Sequence, residues 1–448
     1  MGAKALVKAI PPLVAIILFT LYFIAIQPHL NGYVSDEIWY VSGARNFINE
    51  AGLGRYLVKY GVSVSPYPGC SISGVEPSKV YSDYDIAWYS NVTYSEVEDV
   101  LANKSCIVRF GNYYPDKSGI LTYLNIEHPY LGKYFIALSM LTLGDYPEAW
   151  RVPSLILSLL MIVLVYLAAL RISKGSIWYG ALALIPLMFD ATFRDMGIVA
   201  MLDVYLGFFT ILSAYLYLEG RYMWAIIAGG LSVASKYPGV FTAFSNAYVE
   251  SYRRNGAWGL ATLIIAFIVF IVLQIPVIYV VGGLTAYVSN VMFYLKWFTE
   301  PRPPGPVSSN PLDWLVGLGS FVNNVSPPLY AMGMPGAYLV ALALSLLILI
   351  PQTRSRLFEG FSINELILPA MVLTIWFGYW LVYFLGNTTL YSYYTMQIAP
   401  LAPLILVLGL HRARIRVKPW VFLAILAGIA YGISAQWRLI YGLVTSIA

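Results

Sequence analysis

Apolar stretches long enough to cross a bilayer recur along the 448-residue chain, and they constrain its fold more than any other feature. Crossing a hydrocarbon core of about 30 Å takes about 20 apolar residues in a helix, and lipid offers no hydrogen-bond partners to an open backbone. The chain is 59% hydrophobic and 11% charged, whereas soluble domains carry about 25% charged residues. The sequence therefore predicts an all-α polytopic membrane protein, with one transmembrane domain over residues 1–448.

The basic residues set the predicted orientation, because short cytoplasmic loops carry an excess of Lys and Arg. This rule predicts a cytoplasmic N-terminus, an extracellular C-terminus and an integral protein of the plasma membrane. Lys236 and Pro238 divide one apolar stretch into two spans, which keeps the later basic loops inside. No nucleic-acid partner is expected, because the net charge of +5 comes from dispersed residues and from clusters beside spans. About eleven spans are predicted: 10–27, 152–170, 176–190, 203–218, 223–235, 238–250, 257–281, 336–351, 365–385, 396–410 and 419–436.

Two outer loops, 28–151 and 283–335, are much longer than a connection requires, and long loops usually carry function. The first contains the only two cysteines, Cys70 and Cys106, which predict an extracellular disulfide; two free thiols are the alternative. It also contains a short apolar segment, 134–143, expected to be a helix lying along the interface. We therefore expect this loop to carry interfacial helices and the catalytic residues.

Adjacent carboxylates, Asp36 and Glu37, follow the first apolar segment by about ten residues, at the predicted outer membrane surface. They are candidate catalytic residues. The alternative is ordinary helix capping, since Ser35 can cap and acids are favoured in a first helical turn.

Cationic and acidic residues at the same predicted level supply further candidates. Lys133 and Arg151, with His128 nearby, are suited to binding a phosphate, although basic residues also anchor helix ends to lipid headgroups. Asp203, at the mouth of an apolar helix, needs a partner or a wet cavity, and Arg194 and Lys236 are the candidates. A purely structural ion pair is the alternative. A late tyrosine cluster, Tyr391, Tyr393 and Tyr394, is expected to be an interfacial belt, or else a surface for a sugar or a polyprenyl chain.

These motifs, in this order, resemble the protein O-mannosyltransferases, a family of GT-C glycosyltransferases that use polyprenyl-phosphate sugars. The resemblance implies that Asp36 is the catalytic base with Glu37 beside it, that Arg151 contacts the donor phosphate, and that His128 and Lys133 lie nearby. It also implies an eleven-span fold and a possible dimer. The sequence departs from the family at Ile198, where an Arg is common. The resemblance rests on Asp36-Glu37, His128-Pro129-x-Leu131-Gly132-Lys133, Trp150-Arg151-x-Pro153-Ser154, Met201-Leu202-Asp203 and Ser235-Lys236-Tyr237.

The predicted function is transfer of a sugar, most simply mannose, from a dolichyl or other polyprenyl monophosphate to a Ser or Thr hydroxyl of an exported protein. The same donor chemistry on a lipid or glycan, as in aminoarabinose transferases, is an alternative, and a membrane transporter is a more distant one. The sequence requires no cofactor, although Asp36, Glu37 and Asp203 are possible ligands of a divalent metal.

Overall fold

The computed structural model describes residues 3–30, 32–57, 61–111, 120, 122–301, 307–358, 360–413, 432 and 434. All but two residues of the predicted eleventh span, 419–436, and the extracellular C-terminus therefore lie outside the described residues. Among those described, the helices are α1 (Ala3–Ile26), α2 (Glu37–Glu50), α3 (Tyr94–Ala102), α4 (Leu131–Leu143), α5 (Pro147–Ile172), α6 (Ile177–Phe189), α7 (Ala191–Met196), α8 (Leu202–Leu218), α9 (Tyr222–Ser235), α10 (Gly239–Arg253), α11 (Gly256–Val280), α12 (Leu284–Thr299), α13 (Pro311–Val316), α14 (Pro335–Leu349), α15 (Pro351–Leu357), α16 (Ile367–Phe384) and α17 (Ala402–Arg412).

The helices follow the predicted apolar segments, but fewer of them than predicted are long enough to span. Within the described chain four helical segments meet a spanning length and composition: Val7–His29, Pro147–Ile172, Gly256–Val280 and Ile363–Phe384. A fifth arises if α14 and α15, bent by 102° at their junction, count as one broken span. Several other predicted spans are shorter helices, such as α6 with 13 residues and α9 with 14. Length alone therefore supports four or five spans in this part of the chain, and the count of eleven remains a prediction.

The predicted division of 223–250 is present as a break between α9 and α10 at Lys236–Pro238. The two helices pack closely at this turn, because a Cβ added to Gly239 would lie 2.2 Å from the Ser232 carbonyl carbon. Only glycine allows so close a backbone approach. The break therefore takes Lys236 out of the helical run, at the end of α9.

The middle of the first outer loop corrects the all-α prediction. It contains a four-stranded antiparallel sheet, ordered β2-β3-β1-β4, in which β1 is Val62–Ser65, β2 Lys79–Tyr81, β3 Ile86–Tyr89 and β4 Ile107–Phe110. Apolar and polar residues alternate in β1, which is a pattern typical of a strand. The polar composition of the loop as a whole did not indicate a sheet. The predicted disulfide between Cys70 and Cys106 is confirmed, and it ties this sheet together across 36 residues. We call residues 62–110 the outer β unit.

Two features of the fold position the candidate site. Helix α2 packs against α4, the predicted short apolar segment, and α4 leads into α5. A 3-10 helix, Ser392–Gln397, packs against α8. A second, two-stranded sheet, β5 (Phe321–Asn324) and β6 (Leu329–Ala331), lies in the second outer loop, and Phe321 donates its backbone N–H to the Ser392 hydroxyl at 2.8 Å. The segment that carries the tyrosines beside Ser392 is therefore held by α8 on one side and by β5 on the other.

Candidate active site

A cavity of about 450 Å³ lies between the start of α2, the 123–128 segment, the α9–α10 break, α12 and residues 387–394. Asp36, His128 and Lys236 line it, together with Tyr393 and Tyr394. The fold thus gathers three of the predicted site residues around one space. They come from parts of the chain separated by up to two hundred residues.

Asp36 occupies the N-cap position of α2, yet its side chain makes no capping hydrogen bond. Its Oδ2 instead accepts hydrogen bonds from the hydroxyls of Tyr393, at 3.2 Å, and Tyr40, at 3.4 Å. Ser35, the predicted cap, has a φ of 53° in the left-handed region and precedes the cap position. Capping by the Asp36 or Ser35 side chain therefore does not account for the acidic pair, and Asp36 faces the cavity.

Glu37 faces away from the cavity into a fully buried ion pair with Arg151. Arg151 donates from Nε and Nη2 to the two carboxylate oxygens at 2.9 and 2.8 Å. The same carboxylate accepts backbone N–H groups from Val34, at 2.8 Å, and Ala200, at 2.6 Å. Two oxygens accepting four hydrogen bonds have their usual capacity filled. The Glu37 carboxylate is thus fully engaged in holding the protein together.

Arg151 is equally saturated. Beyond Glu37, its Nη1 donates to the Gln27 side-chain oxygen at 3.0 Å and to the Leu30 carbonyl at 3.1 Å, and its Nη2 donates to the Gly32 carbonyl at 2.8 Å. These contacts use all five donors of the guanidinium. The geometry therefore favours a role for Arg151 in holding the chain before Asp36, over the direct phosphate contact that the family resemblance implies.

Lys133 is also buried, and it binds carbonyl groups of the 125–128 turn. Its ammonium donates to the Asn125 backbone carbonyl, to the Asn125 side-chain oxygen at 3.0 Å and to the His128 carbonyl at 3.0 Å. It lies 4.1 Å from the centre of the Tyr130 ring. Burial lowers the pKa of this ammonium, while the charge of Glu127 opposes the shift. Lys133 therefore shapes the wall of the cavity from behind it.

His128 lies on the cavity wall, edge-on to the Tyr40 ring at 5.6 Å between centres. Burial, followed by the positive charges of Lys236 and Lys133, holds the pKa of its imidazole well below the usual range. The ring is therefore neutral at pH 7. A neutral imidazole can both donate and accept hydrogen bonds, as a hydroxyl group does.

Asp203 pairs with Lys236, which resolves the choice between its two predicted partners. The Lys236 ammonium lies 2.9 and 2.8 Å from the two carboxylate oxygens. It also lies 4.8 Å from the centre of the Tyr394 ring and 5.2 Å from that of Tyr393. Two of its three N–H groups can serve Asp203, which leaves one for the cavity that Lys236 lines.

Arg194 lies outside this group and pairs with its neighbour Asp195 at 2.9 Å. Asp195 also accepts the hydroxyl of Tyr22, at 2.7 Å, and the backbone N–H of Tyr330, at 2.9 Å. Arg194 thus belongs to a polar cluster that joins α1 to the β5–β6 hairpin. It is not among the residues lining the cavity.

A second cavity, of about 240 Å³, adjoins the first, and the two share His128, Lys236, Asn387 and Tyr394. The rest of its lining is almost wholly apolar and includes Phe241, Val382 and Leu390. The described part of the chain therefore has two adjoining cavities, one lined by Asp36 and His128 and the other mostly apolar, and Lys236 lines both.

The geometry does not support the possible metal site at Asp36, Glu37 and Asp203. In the part of the chain that the structure describes, no group of three or more His, Cys, Asp and Glu side chains could hold a metal ion. Glu37 is engaged with Arg151 and Asp203 with Lys236. The three carboxylates thus serve different contacts.

Tyrosine side chains contribute more contacts to the site than the sequence predicts. The sequence predicts Tyr393 in an interfacial belt, or else on a surface for a sugar or a polyprenyl chain; in the structure its hydroxyl binds Asp36, and the Lys236 ammonium lies 5.2 Å from the centre of its ring. Tyr40 was not singled out, although it contacts both Asp36 and His128. Its position one helical turn after Asp36 was the available signal, because residues four apart share a helix face.

No family model matches the sequence, and no curated protein matches it. Its fold is similar to that of ArnT from Cupriavidus metallidurans bound to undecaprenyl phosphate, with a TM-score of 0.51 and 13% sequence identity. That match covers 96% of this chain and 63% of the ArnT chain. A crystal structure of the same ArnT in the apo state gives a TM-score of 0.42 at 17% identity, over 68% of this chain and 52% of that one. The chain thus spans less than two thirds of ArnT, and it has a mostly helical fold similar to that of ArnT.

Proposed function

We propose that this protein is a glycosyltransferase that takes its sugar from a polyprenyl monophosphate at the outer membrane surface. One observation carries the proposal: a carboxylate and an ammonium, Asp36 and Lys236, line a cavity that adjoins a second, mostly apolar one. A donor of this class has a sugar, a single phosphate and a hydrocarbon chain in the same order. The fold likeness to ArnT, which was crystallised with undecaprenyl phosphate, supports the same donor class.

Each cavity then has a chemical task. The apolar cavity, lined by Phe241, Val382 and Leu390, would take the first isoprene units, since burying hydrocarbon is favourable at about 25 cal/mol per Å². Lys236, which lines both cavities, would donate its remaining N–H group to the phosphate. Asp203 would hold the ammonium in place.

The reaction needs one base and one cation. Asp36 would take the proton of the acceptor hydroxyl as its oxygen attacks the anomeric carbon, a contribution of about 10²–10⁴-fold. The bond from that carbon to the phosphate oxygen breaks, its electron pair leaves with the phosphate, and the configuration inverts. Lys236 would stabilise the negative charge that grows on the leaving phosphate. Asp36 later loses its proton to solvent.

The buried groups would act by positioning. Glu37 follows Asp36 in the chain, and Arg151 fastens Glu37 to the carbonyls of Leu30 and Gly32. We therefore assign Glu37 and Arg151 to holding Asp36 in place. Lys133 would hold His128 in place in the same way, through its hydrogen bond to the His128 carbonyl. Neutral His128 would bind a hydroxyl of the sugar or the acceptor.

The finer assignment, mannose transfer to a Ser or Thr hydroxyl of an exported protein, rests on the motif resemblance. The lipid acceptor of an aminoarabinose-transferase-like enzyme is the second candidate, favoured by the ArnT likeness of the fold. Both use the same base and the same cation. A comparison of donors and acceptors distinguishes them.

The test uses the purified chain in nanodiscs with dolichyl-phosphate-mannose or undecaprenyl-phosphate-aminoarabinose, each offered a Ser/Thr peptide or a glycolipid. Release of polyprenyl phosphate together with a glycosylated acceptor is expected for one pair. Asp36→Asn should lower turnover by at least about 100-fold, and Lys236→Gln should raise the donor KM. The matched control is Asp99→Asn, an exposed acid on α3 that lines neither cavity.

Near-normal turnover in a folded Asp36→Asn variant would remove Asp36 as the base. Solute movement across proteoliposomes with no covalent product would instead identify a transporter, and the proposal would fail as a whole.

A further inference from the structure

Strand β4 forms one edge of the outer β unit and presents an apolar border to solvent. Ile107 is 58% exposed there, and among the described strands β4 has a single neighbour, β1. Exposed edges are normally protected by charge, because they pair readily with other chains. Arg109 supplies one charge on β4, and its guanidinium pairs with the Glu50 carboxylate at 2.9 Å. Beside that pair, Ile107 and Val108 form an apolar part of the strand that carries no charge of its own, and this part of the edge is a candidate binding surface.

The register shows which backbone groups point outwards from β4. Gly111 donates its N–H to the Gly61 carbonyl at 2.7 Å, and Ser63 is paired with Arg109. Residues 107, 109 and 111 therefore direct their backbone groups to β1, and the alternation of an antiparallel ladder turns those of Val108 and Phe110 away. Two residues of β4, Val108 and Phe110, thus direct their backbone groups towards the outer edge of the sheet.

The side chain of Asn49 shows how a partner would bind this edge. Its Nδ2 donates to the Phe110 carbonyl at 2.9 Å, and its Oδ1 accepts the Phe110 N–H at 2.8 Å. This is the donor–acceptor pairing that a residue of an adjacent strand would make. Val108, two residues earlier, presents the same groups along the same edge, where a groove of about 420 Å³ opens. Tyr94 and Leu101 of α3, both exposed, form its apolar side.

Helix α2 connects this groove to the candidate active site. Asp36 stands at the start of α2 and lines the catalytic cavity, whereas Asn49 and Glu50 at its end line the groove. A rise of about 1.5 Å per residue separates the two ends by about 20 Å. An extended polypeptide covers that distance in about six residues, at about 3.3 Å each.

We propose that the β4 edge and its groove bind an extended segment of a polypeptide acceptor, about six residues from the Ser or Thr that is glycosylated. The inference rests on the proposed glycosyl transfer and selects its protein acceptor. Backbone pairing at Val108 would supply affinity without a fixed sequence, and the apolar side of the groove, formed by Tyr94 and Leu101, would accept a side chain of the segment. A lipid acceptor has no extended amide backbone to pair with Val108.

The decisive measurement is direct peptide binding, which does not depend on turnover. Fluorescent peptides carrying one Thr and an eight-residue extension, on either its N-terminal or its C-terminal side, are titrated into the protein in nanodiscs. We expect one extended peptide to bind about tenfold more tightly than a tripeptide containing the same Thr. N-methylation of alternate amides in the extension should abolish that advantage, because it removes the N–H groups that pair with the edge.

Matched substitutions at the two edges of the sheet test the location. Ile107→Glu should remove the tenfold advantage, whereas Val80→Glu, at the 45% exposed position on the opposite edge, should retain it. Turnover of the tripeptide should be unchanged in both variants. Equal affinities for the long and short peptides, or equal effects of the two substitutions, would overturn the docking inference. Peptide docking without polyprenyl phosphate release from any donor would instead refute the proposed function, and glycosylation of a glycolipid alone would overturn the docking and leave the transferase.

Discussion

The assignment of Glu37 to positioning makes a sharp prediction for Glu37→Gln. The substitution keeps the shape of the side chain but removes the charge opposite Arg151, whose guanidinium is fully buried. It also replaces one carboxylate oxygen by an NH₂ group, which cannot accept the N–H of Ala200 or Val34. We therefore expect the loss to appear first in stability.

The magnitude follows from the contacts. Removing one partner of a buried, hydrogen-bonded ion pair costs about 3–5 kcal/mol, because the remaining charge is left without compensation in a poorly polarisable environment. Water cannot solvate the Arg151 charge that remains, because neither side chain of the pair has any exposed surface. The single variants Glu37→Gln and Arg151→Met should each lose this amount, and the double variant should lose less than their sum.

The assay is thermal unfolding in detergent, followed by turnover measured on the fraction that remains folded. Glu219→Gln is the control, because it breaks the exposed pair with Arg171, whose atoms lie 3.4 Å apart, and should cost less than about 1 kcal/mol. A Glu37→Gln protein with unchanged stability and a hundredfold lower kcat would refute this reasoning and restore Glu37 as a catalytic residue.

Three further predictions concern the other groups of the site and the outer loop. Because burial lowers the pKa of His128, the unfolded chain takes up a proton at this residue before the folded protein does as the pH falls below 6.5, so the free energy of unfolding should fall there by up to about 1.4 kcal/mol per pH unit; pH-dependent unfolding of His128→Asn should lack this part of the slope. Lys133→Met should lower stability by about 2–4 kcal/mol in thermal unfolding, because it leaves the buried carbonyls of the 125–128 turn without a donor. Replacing Cys70 and Cys106 by Ser should cost about 2–4 kcal/mol in the outer β unit; limited proteolysis should then cut that unit first, and an intact unit would contradict the prediction.

The local features of the fold could be predicted from the sequence because they depend on neighbouring residues. Apolar runs gave the positions of most helices, including the short α4, and the pair Lys236–Pro238 gave the break between α9 and α10. The disulfide followed from two cysteines in one outer loop. The outer β unit escaped prediction because its strands are only three or four residues long and lie in a polar segment.

The sequence by itself thus determined the class of the protein, a helical membrane protein, and it singled out Asp36, His128 and Lys236 as site residues among those that line the cavity. The sequence could not determine which charged side chains form pairs. Asp36 and Glu37 are adjacent in the chain, yet one lines a cavity with Lys236 and the other is saturated by Arg151. Only the tertiary structure decided this, because the worth of a charge depends on its burial and its partners, and those partners come from distant segments. The same physics separates a group available for chemistry from one that holds the chain in place.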